Sequence, residues 1–142
     1  MKISEVMTRE VATVTADQTA QEAANFMLQG DSGSIPVTDG DKLIGMITDR
    51  DIAVRGIAKG HGPETLVRDL MTSGLICARA DDNIEDVATK MSDAQVRRLP
   101  VIDEAEKLVG IVSLGDLSRE TDGDAAQEAL KGVSAPGGAH QQ

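Results

Sequence analysis

Aromatic side chains are almost missing from this chain. Phe26 is its one aromatic residue, and it has no tryptophan and no tyrosine. Its core must therefore be built from Ile, Val, Leu, Met and Ala. Cysteine is nearly absent too: Cys77 stands alone, so no internal disulfide can form, and the composition suits a reducing cytosol. The two histidines, His61 and His140, have no second cysteine to complete a metal-ligand pattern, so no metal is expected. Positive charge is scarce. The net charge of −10 argues against a nucleic-acid or anionic-membrane surface, although a local basic patch can still hold a small anion. The start shows no charged-then-apolar leader, and no apolar run approaches the ~20 residues that span a bilayer. A soluble, cytoplasmic protein is the expectation.

What is present is repetition. A length of 142 residues suits one domain or two small units packed as one, with enough chain to bury a core. Residues 42–52 read KLIGMITDRDI, and residues 107–117 read KLVGIVSLGDL. A shift of 64 lays residues 3–40 over 67–104 with 9 identities, and a shift of 65 lays 42–52 over 107–117 with 4. That makes 13 in 49 positions, where ordinary composition gives roughly three. Met7/Met71, Asp17/Asp81, Pro36/Pro100, Gly45/Gly110 and Asp51/Asp116 are among the pairs.

Each copy has one layout. A helical turn leads in, over 3–7 or 67–71, and a short strand follows, over 12–15 or 76–79. Next comes a helix with apolar residues at i, i+3, i+4 and i+7: Ala20, Ala23, Ala24 and Met27, then Ile84, Val87, Ala88 and Met91. Thr19 with Glu22 forms a capping-box pattern, and Asn83 suits an N-cap. Two strands follow, 35–38 and 43–47, across Asp39-Gly40-Asp41, a strong tight-turn signal. In the second copy they are 99–102 and 107–112, joined by the longer loop 103–106. Pro36 and Pro100 lack an N–H for an interior ladder, which suggests an edge strand or a strand start. A last helix begins near Thr48 or Ser113 and runs in the first copy to about Lys59.

The expected fold is α+β, with two tandem β-α-β-β-α repeats packed sheet to sheet about a pseudo-twofold axis. One copy alone is too small for a stable core. The expected divisions are a first repeat over 2–59, a linker over 60–64, a second repeat over 65–120 and a tail over 121–142. His61 reads as a solvated linker residue. The tail is acidic and Ala-rich, with a short helix over 124–131, then Gly-rich, polar and disordered.

Thr48-x-x-Asp51 and Ser113-x-x-Asp116 admit two compatible readings. One is a capping box with Asp in place of Glu. The other is a ribose-phosphate site: amides and a hydroxyl at a helix start suit phosphate oxygens, and a carboxylate accepts from paired sugar hydroxyls. Gly45 and Gly110 would let something approach the strand backbone closely. The copies differ around these motifs. Arg97 and Arg98 stand where the first copy has Gly33 and Ser34, and Arg50 stands where the second has Gly115. Each Arg suits either a phosphate or a surface ion pair, Asp49 being one partner for Arg50. Cys77 reads as a small core residue, and the alternative, a redox-sensing thiol, lacks an identifiable neighbour to lower its pKa. Met7, Met27, Met46, Met71 and Met91 read as core filler.

These residues resemble a pair of cystathionine-β-synthase (CBS) domains, a Bateman module. The resemblance rests on Gly45–Ile52 (GMITDRDI), Gly110–Leu117 (GIVSLGDL), the SIPV and RRLPV strands and the VMT and LMT lead-ins, and it covers about residues 2–120. It implies an adenosine-containing ligand in clefts between the copies: AMP, ADP or ATP, or else NAD(H) or S-adenosylmethionine. Asp51 and Asp116 would hold the ribose hydroxyls, with Thr48 and Ser113 on phosphate. Backbone at Thr13, Val14 and Thr15, and at Cys77, Ala78 and Arg79, would frame adenine. Ser34 and Ile35 before Pro36, and Arg98 and Leu99 before Pro100, would line the cleft. Residues 48–60 look like those of free-standing bacterial CBS-pair proteins associated with stress responses, an analogy of sequence alone.

Three functions follow for testing. The first is a non-catalytic regulatory module sensing an adenine nucleotide. The second is a protein-interaction module, with an unidentified partner, that needs no nucleotide. The weakest is an enzyme, because no base, nucleophile or metal-ligand set stands at usable spacing and no cofactor is implied. The resemblance also implies a homodimer formed through helix faces, which Phe26, Met27 and Leu28 support by exceeding one apolar face.

Overall fold

The computed structural model describes residues 1–120. The expectations for residues 121–142, His140 included, lie outside the described residues. The fold is α+β, with two three-stranded mixed sheets that match the two sequence repeats. The described residues form two compact units, one over Ala12–Leu75 and the other combining Met1–Val11 with residues 76–120. Units and repeats thus divide the chain differently, because each lead-in packs with the other copy's sheet.

In the Ala12–Leu75 unit, β1 (Val14–Thr15) is followed by α1 (Ala20–Gly30), β2 (Ser34–Asp39) and β3 (Lys42–Thr48). The short β1 runs parallel to β2, pairing Val14 with Val37, and β2 and β3 form an antiparallel hairpin. The hairpin closes through Gly40-Asp41, with Gly40 at φ 60°, a backbone that glycine adopts without strain. Helix α1 starts on the expected capping box: Glu22 N–H donates to Thr19 Oγ1 at 3.2 Å, and Thr19 N–H donates to Glu22 Oε1 at 3.4 Å. It stops at Asp31, which adopts the left-handed conformation. Ala20, Ala23 and Met27 are buried, but Ala24 is exposed, so the apolar face of α1 is narrower than the sequence spacing implies. The core joins these residues to Ile35, Val37 and Ile47 and to Val67 and Leu70 from α2 (Val67–Leu70).

The second unit repeats the pattern with β4 (Ala78–Arg79), α3 (Ile84–Ala94), β5 (Arg98–Ile102), β6 (Leu108–Ser113) and α4 (Leu114–Glu120). Ile84, Val87, Ala88 and Met91 are all buried, as their spacing predicts. Asn83 occupies the N-cap position, but its side chain makes no capping bond. Ile3, Val6 and Met7, from the 3-10 turn Ile3–Glu5 and the residues after it, complete this core. No aromatic ring enters either core, and Phe26 lies on the exposed side of α1.

The prolines correct one expectation. Pro36 and Pro100 are neither on edge strands nor at strand starts; each is the third residue of the central strand of its sheet. Pro36 lies opposite Met46, whose N–H and C=O both turn away to Thr72, at 2.9 and 2.8 Å. The Pro36–Met46 pair is thus a non-hydrogen-bonded one, and β3 asks no N–H of Pro36. On the other side β1 pairs only from Val37 onward. Pro100 is tolerated the same way, because Ile111 exchanges its bonds with Thr8, at 2.8 and 2.9 Å.

Gly45 and Gly110 do admit a close approach to the strand, and what approaches is the chain's own backbone, at Thr72 and Thr8, within each unit. After β3, residues 49–59 are helical as expected, but with a π-helical turn at Asp51–Gly56 and a 3-10 turn at Ile57–Lys59. Such i→i+5 turns recur at functional positions.

Candidate functional site

Thr48 ends β3 at the point where the chain turns helical. Its N–H donates to Asp51 Oδ2 at 3.0 Å, and the Asp51 N–H donates back to Thr48 Oγ1 at 3.0 Å. Ser113 and Asp116 repeat this at 2.9 and 3.2 Å. Both motifs are therefore closed capping boxes with Asp in the acid position. Each box uses Oδ2 of its aspartate and leaves Oδ1 on the other side of the carboxylate. Asp51, Asp116 and Thr48 are buried, and Ser113 is half-buried.

The helix start of the first motif is less open to phosphate than the sequence implies. Asp49 N–H donates to the Gly33 carbonyl at 2.9 Å, Arg50 N–H donates to Asp49 Oδ1 at 2.8 Å, and Asp51 N–H is held by Thr48. Three leading amides are already bonded, one of them to a carboxylate. The groups that remain face sugar hydroxyls better than phosphate. Thr48 Oγ1 accepts one bond and keeps its proton to donate, and Asp51 Oδ1 accepts.

Ser34 adds to this group. It pairs with Thr48 across β2 and β3, two positions from the non-hydrogen-bonded Pro36–Met46 pair, so the Ser34 and Thr48 side chains share a face at close range. Ser34 is only 5 % exposed, and among the described residues its Oγ is the buried side-chain polar atom without a hydrogen-bond partner. A buried hydroxyl left unbonded costs about 1–3 kcal/mol, which a bound polar group would recover.

The surrounding guanidiniums were not foreseen, although i,i+3 and i,i+4 spacing from each aspartate could have signalled them. Arg119 Nη2 donates to Asp116 Oδ1. Arg55 Nε stays 3.8 Å from Asp51 Oδ1, while its Nη1 donates to the Met71 carbonyl at 3.2 Å.

The other expected site residues fall into two groups. Val14, Ile35, Ala78 and Leu99 point into the helix-covered cores, so only their backbone can meet a ligand. Pro36 and Pro100 are buried in the central strands. Thr13 is exposed, and Thr15 Oγ1 is engaged by Asp17 at 2.6 Å. Arg79 turns to the Asp103 carbonyl at 3.1 Å, Arg50 and Arg97 are exposed, and Arg98 is half-buried. Cys77 is half-buried, and burial pushes its thiol up, with Lys90 and Arg79 pulling the other way. No group of three His, Cys, Asp or Glu among the described residues could hold a metal ion. No helix among them is long and apolar enough to cross a membrane.

Two cavities lie elsewhere in the Ala12–Leu75 unit. One of about 480 Å³ is formed by α1 and residues 49–57, with Leu28, Ile52 and Ile57 beside Asp31 and Asp49. The other, about 210 Å³, lies between Ala20, Ile57, Pro63 and Leu70. Neither includes Thr48 or Asp51. Leu28 is 80 % and Ile57 63 % exposed, so the outer helical side is apolar.

Two three-stranded sheets, each followed by the same hydroxyl-acid box at its strand-to-helix junction, define a tandemly duplicated module. The chain belongs to the CBS domain family, whose model matches residues 3–55 and 67–123. It is similar to the CBS domain-containing protein YhcV of Bacillus subtilis, at 42 % identity over 133 residues, covering 93 % of this chain and 94 % of that one. Hypoxic response protein 1 of Mycobacterium tuberculosis is 35 % identical over 134 residues, 93 % of each chain. A crystal structure of hypoxic response protein I with two coordinated zinc ions matches with a TM-score of 0.78 at 36 % identity, over 85 % of this chain and 99 % of that one. CBSX2 of Arabidopsis thaliana, crystallised in complex with AMP, matches with a TM-score of 0.73 at 27 % identity, over 83 % of this chain and 93 % of that one.

Proposed function

We propose that this chain is a non-catalytic regulatory CBS-pair protein that binds an adenosine-containing ligand and signals energy or stress state. The ligand class is AMP, ADP or ATP, with NAD(H) and S-adenosylmethionine as further members. The observation that carries this reading is the buried carboxylate of Asp51, held by Thr48 with Oδ1 left over, beside the unbonded hydroxyl of Ser34. A ribose diol supplies two donors to such a carboxylate and an acceptor to such a hydroxyl. The AMP complex of CBSX2 supports the same class.

The test is thermal unfolding with AMP, ADP, ATP, NADH and S-adenosylmethionine, each at millimolar concentration. A ligand at 100 times its Kd adds roughly 2.7 kcal/mol of stability. At least one should raise the melting temperature by several degrees, and a melting temperature unmoved by all five removes the reading.

The closed capping boxes favour a second reading, a protein-interaction module that needs no nucleotide. It predicts a pull-down that recovers one partner equally well when Asp51 and Asp116 are substituted. Either reading is compatible with a homodimer, which the exposed Leu28 and Ile57 support.

A further inference from the structure

The two hydroxyl-acid boxes share their backbone geometry and differ in what meets the outer carboxylate oxygen. At Asp116, Oδ1 accepts from Arg119 Nη2, one helical turn along α4. Asp116 is buried, and the Arg119 side chain is 67 % exposed, so the guanidinium covers the carboxylate from the solvent side. It presents N–H donors to the oxygen that would otherwise take a ligand hydroxyl. Donors of this kind in this place stand in for the diol.

At Asp51 the corresponding cation is held off. Arg55 Nε lies 3.8 Å from Oδ1, beyond hydrogen-bond range, and its Nη1 is committed to the Met71 carbonyl. Asp51 Oδ1 stays available to a donor. The position aligned with Ser34 also differs between the copies: Ser34 brings a small buried hydroxyl with no partner, and the second copy has Arg98 there. One box is therefore open beside an unsatisfied polar atom, and the other is closed by the chain's own side chain.

Resting on the reading above, we propose that the Asp51 site is the ligand-binding one and that Arg119 closes the Asp116 site as an internal substitute for the ligand's hydroxyls. A ligand enters the second site only when Arg119 leaves. The exchange is of hydrogen bonds alone, with no covalent step.

The experiment is calorimetric titration of the full chain with AMP. The variants are Asp51→Asn, Asp116→Asn, Arg119→Ala and the double variant Asp51→Asn with Arg119→Ala. Asn keeps an oxygen for the Thr48 or Ser113 N–H, so the helix start stays capped, and thermal melting of each variant checks the fold. Wild type should show one site, lost in Asp51→Asn and kept in Asp116→Asn. Arg119→Ala should tighten the second site about fivefold, the upper end of what an exposed ion pair is worth, and so bring out a site too weak to resolve beside the first in wild type. The double variant should retain only that second site. Two equal sites in wild type would leave the functional reading standing and overturn this inference. So would loss of affinity in Arg119→Ala, which would make Arg119 a ligand contact. Wild type binding none of the five adenosine-containing ligands in the thermal panel overturns both.

Discussion

Gly45 lies so close to Thr72 that a Cβ on it would come within 2.8 Å of the Thr72 carbonyl oxygen. Gly110 stands in the same relation to Thr8, at 2.7 Å. These contacts let the segment before each β-strand lead lie along the outer edge of β3 or β6, exchanging two backbone bonds with Met46 or Ile111. Gly45→Ala and Gly110→Ala must push backbone against backbone, and each should cost about 1–3 kcal/mol, as overpacking does. Urea denaturation reads this directly. A change under about 0.5 kcal/mol in both would mean that the close approach is not needed for the fold.

The hydroxyl of Thr48, which the proposal places at the ligand's sugar, also caps the helix start. Thr48→Ser keeps the oxygen that the second copy already uses as Ser113, and stability should stay within about 0.5 kcal/mol. Thr48→Val leaves the buried Asp51 N–H without its partner and should cost about 1 kcal/mol or more. Equal urea midpoints for the two variants would show that the capping bond contributes nothing.

Leu28 and Ile57 are exposed apolar residues on α1 and the 49–59 stretch. Changing both to Glu should leave monomer stability within about 0.5 kcal/mol per site, since neither is buried. Sedimentation at micromolar concentration should show wild type as a dimer and the double variant as a monomer near 15 kDa. A wild type that sediments at 14.9 kDa contradicts the dimer.

Burial raises the Cys77 thiol above its ordinary value of 9.0, so the folded protein keeps its proton when the unfolded chain has begun to lose it. Below about pH 9 both states are protonated and the group has no effect on stability. As pH climbs past that value the folded state binds more protons, and stability falls. Alkylation of Cys77 by iodoacetamide should be slow at pH 7 and still accelerating at pH 9. A rate that levels off below pH 8.5 would point to an activated thiol instead.

Much of this architecture was legible in the sequence, because the repeat forces equal roles on paired residues. Thr19 and Glu22 announced their cap, Ile84 to Met91 announced a buried face, and Thr48 and Asp51 announced a junction. What escaped were features set by long-range partners. Ile3 and Met7 join the core that holds Ile84 and Leu99, and periodicity within the lead-in cannot say which sheet it will meet. Pro36 occupies a central strand only because Met46 turns its bonds to Thr72, a residue 26 positions further along. Ala24 repeats as Ala88 in sequence, yet one is exposed and the other buried, so identity of residue did not fix identity of environment. At the site, the acid and hydroxyl were readable, but the different engagement of Arg55 and Arg119 depends on which carbonyl or carboxylate each guanidinium reaches.

The central claim is that Asp51, with Thr48 and Ser34, receives the sugar of an adenosine-containing ligand. A crystal structure of the protein grown with AMP measures it most directly. The account predicts a ribose hydroxyl about 2.7 Å from Asp51 Oδ1, with Ser34 Oγ gaining a hydrogen bond from the ligand or a water it orders. AMP seated instead in the groove beside Leu28 and Ile57, with Ser34 still unbonded, would contradict it.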